Sequence, residues 1–269
     1  MGDPALLKNS RFLRPPLKWA GGKRWLAPHL LPIWEMHKQR RFVEPLCGSL
    51  AVSLALRPEK ALLNDTNAHL INFYRWIQSG LEVVIEMEND SDLYYRQRGR
   101  FNGLILSEGG AKSAEAASLF YYLNRTGYNG LCRFNRKGFF NVPFGKYKKI
   151  NYRRDFTAYQ SAFSSWDFRC TSLETLPVAP DDFIYADPPY DVEFTSYTKD
   201  GFDWDDQVAL AEWLANHPGP VALSNQATKR VVALYERLGF SLTYLRAPRR
   251  ISCTGDRTPA VEVLALINI

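Results

Sequence analysis

Long apolar segments are missing from this chain of 269 residues. No apolar run reaches the ~18 residues that a membrane-spanning helix needs, so the sequence predicts no such helix. The first 17 residues are polar, contain prolines and lack the apolar core of a signal peptide. Since 46% of the residues are hydrophobic, the chain can still bury a full core, as one large domain or as a domain with an insertion. We therefore expect a cytoplasmic protein.

Disulfide and metal-binding patterns are also missing. The cysteines are far apart, form no C-x-x-C pair and have no histidine close by: Cys47, Cys132, Cys170 and Cys253. We interpret them as reduced thiols, neither a disulfide framework nor a zinc site. The four histidines are scattered too, which argues against a metal centre and against a Ser-His-Asp triad. The expected chemistry therefore needs no metal.

Acidic residues are absent from residues 125–154, which we call the basic segment. It carries nine cationic side chains: Arg125, Arg133, Arg136, Lys137, Lys146, Lys148, Lys149, Arg153 and Arg154. Subtracting these nine charges from the net charge of +6 leaves the rest of the chain at −3. A cationic stretch on a slightly acidic body is typical of polyphosphate binding. Turn formers and interleaved aromatic residues predict a glycine-punctuated hairpin that enters a nucleic-acid groove, the alternative being a solvated hairpin.

The most informative short motif is Asp187-Pro188-Pro189-Tyr190, which follows the apolar run 183–186. The two prolines must end a strand there, and α/β sheets place their ligands at that end. The Asp187 carboxylate and the Pro188 carbonyl are two acceptors beside the Tyr190 ring. Such a set suits a planar base that carries an exocyclic NH2 group. The alternative is an ordinary turn.

Two other motifs favour a nucleotide-like cofactor. A predicted strand at 41–44 is followed by Gly48 and a helical run, which is the first half of a nucleotide-binding unit, although no G-x-G-x-x-G occurs. Asp65 ends the next apolar run, where an acidic residue commonly binds ribose hydroxyls; the alternative is that it caps the following helix. Near the N-terminus, Trp19 and Lys23 flank two adjacent glycines that allow close approach of a ligand.

Strands and helices alternate along most of the chain, which predicts an α/β fold. The predicted strands are 41–44, 61–63, 166–171, 183–186, 221–224, 241–246 and 261–267. The predicted helices that alternate with them are 23–35, 50–56, 68–78, 203–216 and 228–238. Three further helical patterns, 82–88, 93–104 and 113–124, interrupt this alternation. We therefore predict a discontinuous catalytic domain, 1–66 and 155–269, with an inserted, mainly helical recognition domain at 67–154.

Taken in order, these motifs resemble the Dam-type DNA adenine-N6 methyltransferases, the D12 class, alpha group. The matching segments are Leu-Lys-Trp-Ala-Gly-Gly-Lys at 17–23, Val-Glu-Pro at 43–45 with Gly48, Asn-Asp-Thr-Asn at 64–67, the block at 123–133, Phe-Asn-Val-Pro-Phe-Gly at 140–145 and Asp-Pro-Pro-Tyr at 187–190. The resemblance implies a Rossmann-like S-adenosylmethionine-dependent methyltransferase sheet. It also implies methyl transfer to N6 of an adenine flipped out of duplex DNA, within GATC.

The resemblance further implies roles for individual residues. Trp19, Lys23 and Asp65 would bind S-adenosylmethionine, and Asp187 would border both the cofactor and the adenine held by Pro188 and Tyr190. The bases of the recognition sequence would be read by Lys18, Leu131, Arg133 and Pro143. Tyr128 and Asn129 would lie at the space that the adenine vacates, and Lys146 would contact a phosphate.

The chain departs from this family at residues 46–50. Relatives often have Phe-x-Gly-x-Gly there, whereas this chain has Leu-Cys-Gly-Ser-Leu, so an altered cofactor affinity is expected. Two alternatives stay open. One is a methyltransferase that acts on another DNA site, on RNA or on cytosine N4, and the other is a DNA-binding module that has lost its activity. We expect a monomer that associates with double-stranded DNA in the nucleoid.

Overall fold

The computed structural model describes residues 13–190, 202–247 and 260–269. Within these ranges one sheet contains seven strands: β1 (Phe42–Glu44), β2 (Ala61–Asn64), β3 (Trp166–Arg169), β4 (Phe183–Ala186), β5 (Val221–Gln226), β6 (Ser241–Ala247) and β7 (Ala260–Ile267). The α-helices in the same ranges are α1 (Ala27–His37), α2 (Ser53–Leu56), α3 (Ala68–Gln78), α4 (Ser91–Leu106), α5 (Ala114–Thr126), α6 (Thr157–Phe163), α7 (Trp204–Ala215) and α8 (Lys229–Arg237). Cys253 lies outside the described residues.

The sheet has the strand order β3-β2-β1-β4-β5-β7-β6. The strands β1 to β5 are parallel, and β7 lies antiparallel between β5 and β6. Successive residues of β1 face opposite sides of the sheet. Phe42 belongs to the core formed with α1 and α3, and Val43 belongs to the core formed with α7 and α8. Both faces are thus covered by helices, as expected for parallel strands that are apolar throughout. The predicted α/β, Rossmann-like fold is confirmed.

The order of the strands reverses between β1 and β4, and this switch point positions the site. Connections leave β1 and β4 in opposite directions along the sheet, so a crevice opens at their carboxyl ends. Glu44 ends β1 and Asp187 follows β4 directly. The segment of the chain that follows each strand is therefore available to bind a ligand.

The helical lobe between β2 and β3 packs on the sheet through α3. Phe73 of α3 stacks on Tyr121 of α5, with ring centroids 5.5 Å apart. The helix α5 is buried along most of its length, and its side chains share one continuous core with those of α3 and of the sheet. The role of residues 67–154 as a recognition domain stays a prediction.

The helix predicted at 82–88 is wrong, because this segment is extended. Leu81, Val83 and Met87 are buried while the residues next to them face solvent, which is the alternation of an extended chain. The β-branched residues at 83–85 also disfavour a helix. In contrast, the short helix α6 was not predicted. It is held by its contacts, among them the Tyr159 hydroxyl, which donates to the Arg14 carbonyl at 2.7 Å.

Two element boundaries matter for the site. The helix α2 covers only Ser53–Leu56 rather than 50–56, because Leu50 has φ +61°, outside the helical region. The helix α1 begins at Ala27 rather than at residue 23. Trp19 and Lys23 therefore lie on an irregular loop before α1, from which both side chains reach the crevice.

The basic segment forms an irregular hairpin. Isolated antiparallel bridges join Gly127 to Phe144 and Phe134 to Phe140. The Asn135 side chain closes the tip by accepting hydrogen bonds from two backbone N–H groups of the turn. Phe140 is buried against the helical lobe, so part of the aromatic content of this segment belongs to the core.

Candidate active site and adjoining basic surface

Asp187 stands at the carboxyl end of β4, and one of its oxygens is already bound. Its Oδ1 accepts from Lys23 Nζ at 2.8 Å and from Ser224 Oγ at 2.9 Å. Its Oδ2 has no hydrogen-bond partner within the described residues, and the side chain, 19% exposed, lines the crevice. Burial raises the pKa of Asp187, while Lys23 and Ser224 oppose that rise. One carboxylate oxygen is therefore held by the protein and the other is available to a ligand.

Lys23 is the ammonium group of this corner, and it is 3% exposed. Besides Asp187, its Nζ lies 3.3 Å from Oε2 of Glu262 and 3.1 Å from the Tyr190 hydroxyl. Burial alone would lower the pKa of Lys23, but Asp187, Tyr190 and Glu262 raise it above its ordinary value. The Tyr190 hydroxyl also donates to Glu262. Lys23 thus contacts the predicted catalytic residues Asp187 and Tyr190 directly. The sequence had indicated only a place in the cofactor pocket for it.

The crevice has a volume of about 870 Å³ and runs from this corner past Gly48 to Asp65. Gly48 has φ +44°, and a Cβ atom there would lie 3.0 Å from Nε1 of Trp19. A side chain at this position would therefore be strained and would push against the indole ring. Trp19 lies over the glycine turn and forms one wall of the crevice.

Asp65 follows β2 and binds the glycine turn. Its Oδ2 accepts from the Gly48 N–H at 3.1 Å, and its Oδ1 accepts from the Asn67 N–H at 2.9 Å. The alternative that Asp65 caps α3 is wrong, because Asn67 is the N-cap and accepts from the first N–H groups of the helix. Burial raises the pKa of Asp65. Its carboxylate joins the ends of β1 and β2 at the rim of the crevice.

The crevice is acidic. Carboxylates among its described lining residues are Glu44, Asp65, Glu174, Asp187 and Asp206, whereas Lys23 is the single cationic side chain of that lining. Glu44 is buried and accepts a hydrogen bond from Ser53 Oγ, and burial raises its pKa to about 8. With Glu44 mostly protonated near neutral pH, the other carboxylates of this lining still outnumber its single ammonium group, and this excess of negative charge suits a ligand that carries positive charge.

The predicted DNA-contacting residues lie beside the crevice, where the basic segment meets the loop before α1. Lys18 packs on Gly130, where a Cβ atom would clash with its side chain, and its Nζ stands 3.8 Å from the Tyr147 ring centroid. Burial and then Arg125 lower the pKa of Lys18 to about 8. The Tyr128 N–H donates to the Pro143 carbonyl at 2.9 Å. The chain thus brings Lys18, Tyr128 and Pro143 into one region.

The remaining predicted residues continue along the hairpin. Tyr128 is 50% exposed and Leu131 is 37% exposed, although both have large apolar side chains. Asn129 and Lys146 have positive φ values of 52° and 46°, so both mark sharp turns of the backbone. Arg133 is exposed and donates from Nε to Oδ1 of Asn141 at 2.8 Å. Its guanidinium is therefore oriented by a neighbour and still faces solvent.

Three residues of the corner were missed by the sequence analysis. Ser224 and Glu262 contact Asp187, Lys23 or Tyr190, and Gln207 donates to the Pro189 carbonyl at 2.7 Å. One signal was present, because Glu262 is the single charged residue in the apolar run 261–267. A buried charge in a strand needs a partner and often marks a site.

The sheet order and the crevice at the β1–β4 switch point are those of the doubly wound α/β class, in which ligands bind at the carboxyl ends of the strands. No helix in the described parts of the chain is long and apolar enough to cross a membrane. No cluster of His, Cys, Asp or Glu there is suited to a metal ion.

Sequence comparison identifies the family. Residues 19–251 match the D12 class N6 adenine-specific DNA methyltransferases, and the chain belongs to this family. The resemblance seen in the motifs is therefore confirmed, and the protein is a DNA adenine methyltransferase.

Curated relatives match over almost their whole length. The Retron Ec67 DNA adenine methylase of Escherichia coli is 36% identical, with 93% of this chain and 90% of the relative covered. The DNA adenine methylase of Vibrio cholerae serotype O1 is 38% identical, with 94% and 95% covered. The type II methyltransferase M1.LlaDCHI of Lactococcus lactis is 34% identical, with 91% of each chain covered.

Proposed function

We propose that the protein transfers a methyl group from S-adenosylmethionine to N6 of an adenine in double-stranded DNA, within GATC, after the adenine has left the helix. The observation that carries this proposal is the asymmetry of Asp187. Its Oδ1 is bound by Lys23 and Ser224, whereas its Oδ2 has no hydrogen-bond partner within the described residues, and Asp187, Pro188 and Tyr190 all line the crevice.

The chemistry of the corner fits an exocyclic amino group. The lone pair of adenine N6 is delocalised into the ring, so N6 is a poor nucleophile. Hydrogen bonds from its two N–H groups to Asp187 Oδ2 and to the Pro188 carbonyl would localise that pair. They would also orient it, and alignment supplies much of the rate in such a transfer. Tyr190 would stack on the base and offset part of the few kcal/mol that flipping costs.

The crevice also fits the cofactor. S-adenosylmethionine, when bound, supplies a methyl group activated by a sulfonium and carries a second positive charge on its amino group. The carboxylates of the lining, with Asp187 at the corner and Asp65 at the rim, suit both charges. Trp19 offers a flat wall beside Gly48, and the free lone pairs of Asp65 can accept from ribose hydroxyls. The Leu-Cys-Gly-Ser-Leu loop keeps the glycine turn that this arrangement requires.

The basic segment would hold the duplex over the crevice. We propose that Lys18, Leu131, Arg133 and Pro143 read the recognition bases. Tyr128 and Asn129 would fill the space that the adenine leaves, and Lys146 would bind a phosphate. The exposure of Tyr128 and Leu131 supports this, because both side chains are accessible to a duplex and an apolar side chain can fill the gap left by a base. We further propose that one protein molecule suffices for a site.

The test is methyl transfer by the purified protein onto duplex DNA, single-stranded DNA and RNA, followed by sequencing of the methylated bases. We expect N6-methyladenine within GATC on duplex DNA. Asp187→Ala should abolish transfer and keep most of the DNA binding, and a fully active variant would refute the role of Asp187. Modified cytosine or RNA would favour the alternative acceptors. Calorimetry without any heat of S-adenosylmethionine binding would favour a binding module that has lost its activity.

A further inference from the structure

Glu262 lies on β7 beside the catalytic corner, and its two oxygens face different partners. The Oε1 atom accepts the hydrogen bond of the Tyr190 hydroxyl, and the Oε2 atom lies 3.3 Å from Lys23 Nζ. The same ammonium lies 2.8 Å from Asp187 Oδ1. Two carboxylates therefore share one buried cation, and the third neighbour of that cation is the aromatic residue of the corner.

The hydrogen bonding of Glu262 is incomplete in a way that packing does not explain. Its side chain is 3% exposed, and Oε2 is buried without a hydrogen-bond partner among the described residues. Its one cationic neighbour among them is Lys23, at 3.3 Å, and taking a carboxylate out of water costs free energy even when it is paired. The next residues of β7, such as Val263 and Leu264, are buried and apolar. A leucine or valine would suit the same strand, so the charge at this position requires another reason.

We propose that Glu262 is a positioning residue for methyl transfer, which fixes the Tyr190 ring through its hydroxyl and draws Lys23 partly away from Asp187. This inference rests on the proposed function. With Lys23 divided between two carboxylates, Asp187 keeps enough negative charge to be a strong acceptor at Oδ2. Without the charge of Glu262, Lys23 pairs with Asp187 alone, and the bond that holds the far end of the Tyr190 ring is weakened because its acceptor is neutral.

The experiment uses Glu262→Gln and Tyr190→Phe, alone and combined, in the full chain. Glutamine keeps the size of the side chain without its charge, and phenylalanine keeps the stacking ring without its hydroxyl. We expect Glu262→Gln to lower the single-turnover rate on duplex DNA by about 10- to 100-fold. The Kd values for S-adenosylmethionine and for DNA should change by less than about threefold, because the lost interaction acts on the transition state. Tyr190→Phe removes the hydrogen bond, and Glu262→Gln weakens the same bond by removing the charge of its acceptor. The loss in the double variant should therefore be smaller than the product of the single losses.

Asp182→Asn is the matched control. Asp182 is also a buried carboxylate with a cationic partner, Arg41, at a distance of 2.6 Å, but it lies at the amino end of β4, away from the crevice. This variant should lower the melting temperature and leave the single-turnover rate unchanged. If Glu262→Gln behaves like Asp182→Asn, with lost stability and a normal rate, the proposal is overturned. Rate losses that multiply in the double variant would also overturn it.

The two proposals fail in different ways. An inactive wild-type protein in the same assay refutes the proposed function, whereas an active wild type with an equally active Glu262→Gln refutes only the positioning role. The same variants also give a readout that does not need activity. Thermal unfolding of wild type, the two single variants and the double variant measures the coupling between residues 190 and 262. Purely additive shifts of the melting temperature would show that the bond between the two residues is absent and would overturn the inference.

Discussion

At Leu50, backbone strain and side-chain burial make opposing contributions to stability. Its φ of +61° is a conformation that side-chain-bearing residues rarely adopt, and its side chain is fully buried. The left-handed backbone costs about 1–2 kcal/mol, and burial of a leucine side chain stabilises by about 1.5–3 kcal/mol. The apolar contact therefore outweighs the strain. This balance explains how the chain accepts leucine where relatives often carry the second glycine of the loop.

This balance predicts an unusual order of stabilities. Leu50→Gly should destabilise the protein less than Leu50→Ala by about 1 kcal/mol, because both variants lose the side chain and only glycine also relieves the strain. Leu54, buried in α2, is the control, and there glycine should be worse than alanine by about 1 kcal/mol. Denaturant unfolding of the four variants measures both differences. A stability difference between the glycine and alanine variants that has the same sign at residues 50 and 54 would contradict the interpretation.

Glu44 predicts a pH dependence of stability. Burial raises its pKa from 4.5 to about 8, so the folded protein keeps a proton that the unfolded chain has released over this range. The free energy of unfolding should therefore fall as the pH rises between these two values, by up to about 1.4 kcal/mol per pH unit, and then level off. Glu44→Gln has no proton to lose and should lack this contribution. Urea unfolding of both proteins across this pH range tests it, and a stability difference that stays constant with pH would contradict it.

At the scale of elements, the corner at residues 187–190 is anchored by two helices and a strand. Gln207 of α7 donates to the Pro189 carbonyl at 2.7 Å and accepts from Asn225 of β5 at 3.0 Å. Asn225 also donates to the Tyr235 hydroxyl of α8 at 3.0 Å. Since the two prolines remove backbone donors at the corner, side chains from neighbouring elements provide its restraint.

Gln207→Ala should therefore reduce both stability and activity. It leaves buried polar groups unsatisfied, which costs about 1–3 kcal/mol, and it frees the loop that carries the proposed adenine acceptors. Gln78→Ala is the control, because the Gln78 amide likewise binds two backbone carbonyls, those of Phe163 and Trp166, away from the crevice. We expect a stability loss in both variants and a reduced single-turnover rate only in Gln207→Ala. Equal single-turnover rates for the two variants, measured where both are fully folded, would argue against the anchoring role.

At the scale of the whole molecule, charge is divided unequally. The basic segment carries nine cationic residues, and the rest of the chain has a net charge of −3. The crevice itself is acidic. A polyanion is therefore attracted to one surface while a cationic cofactor is attracted to the cavity beside it. The two ligands of opposite charge can approach the same corner without competing for it.

This division predicts two kinds of DNA-binding variant. Lys146→Ala should weaken binding to all duplexes alike and reduce the slope of log K against log salt by about 1. Arg133→Ala should instead relax the base preference at one position of the site, at a cost of about 1–3 kcal/mol on the specific duplex. Binding of GATC and scrambled duplexes across a salt series measures both effects. An equal loss on the two duplexes for Arg133→Ala would count against base reading.

Local patterns were enough to predict the fold class, most strands and the position of the acidic residues. Apolar runs that end in proline or glycine mark strand ends, and parallel strands place those ends at one edge of the sheet. Asp187 and Asp65 could thus be assigned to the crevice from their neighbours in the chain. The basic segment was visible for the same reason, because its charge is contiguous in the sequence.

Contacts between distant parts of the chain could not be predicted in this way. Ser224 reaches Asp187 because β5 is a neighbour of β4, and Glu262 reaches Lys23 because β7 follows β5 in the sheet. Lys23 comes from the loop before α1, and no spacing in the sequence encodes this arrangement. The extended segment after α3 is a second case, since the burial of Leu81, Val83 and Met87 becomes visible only once the chain has packed. Periodicity describes one element at a time, whereas the charge balance of the corner depends on how the elements pack together.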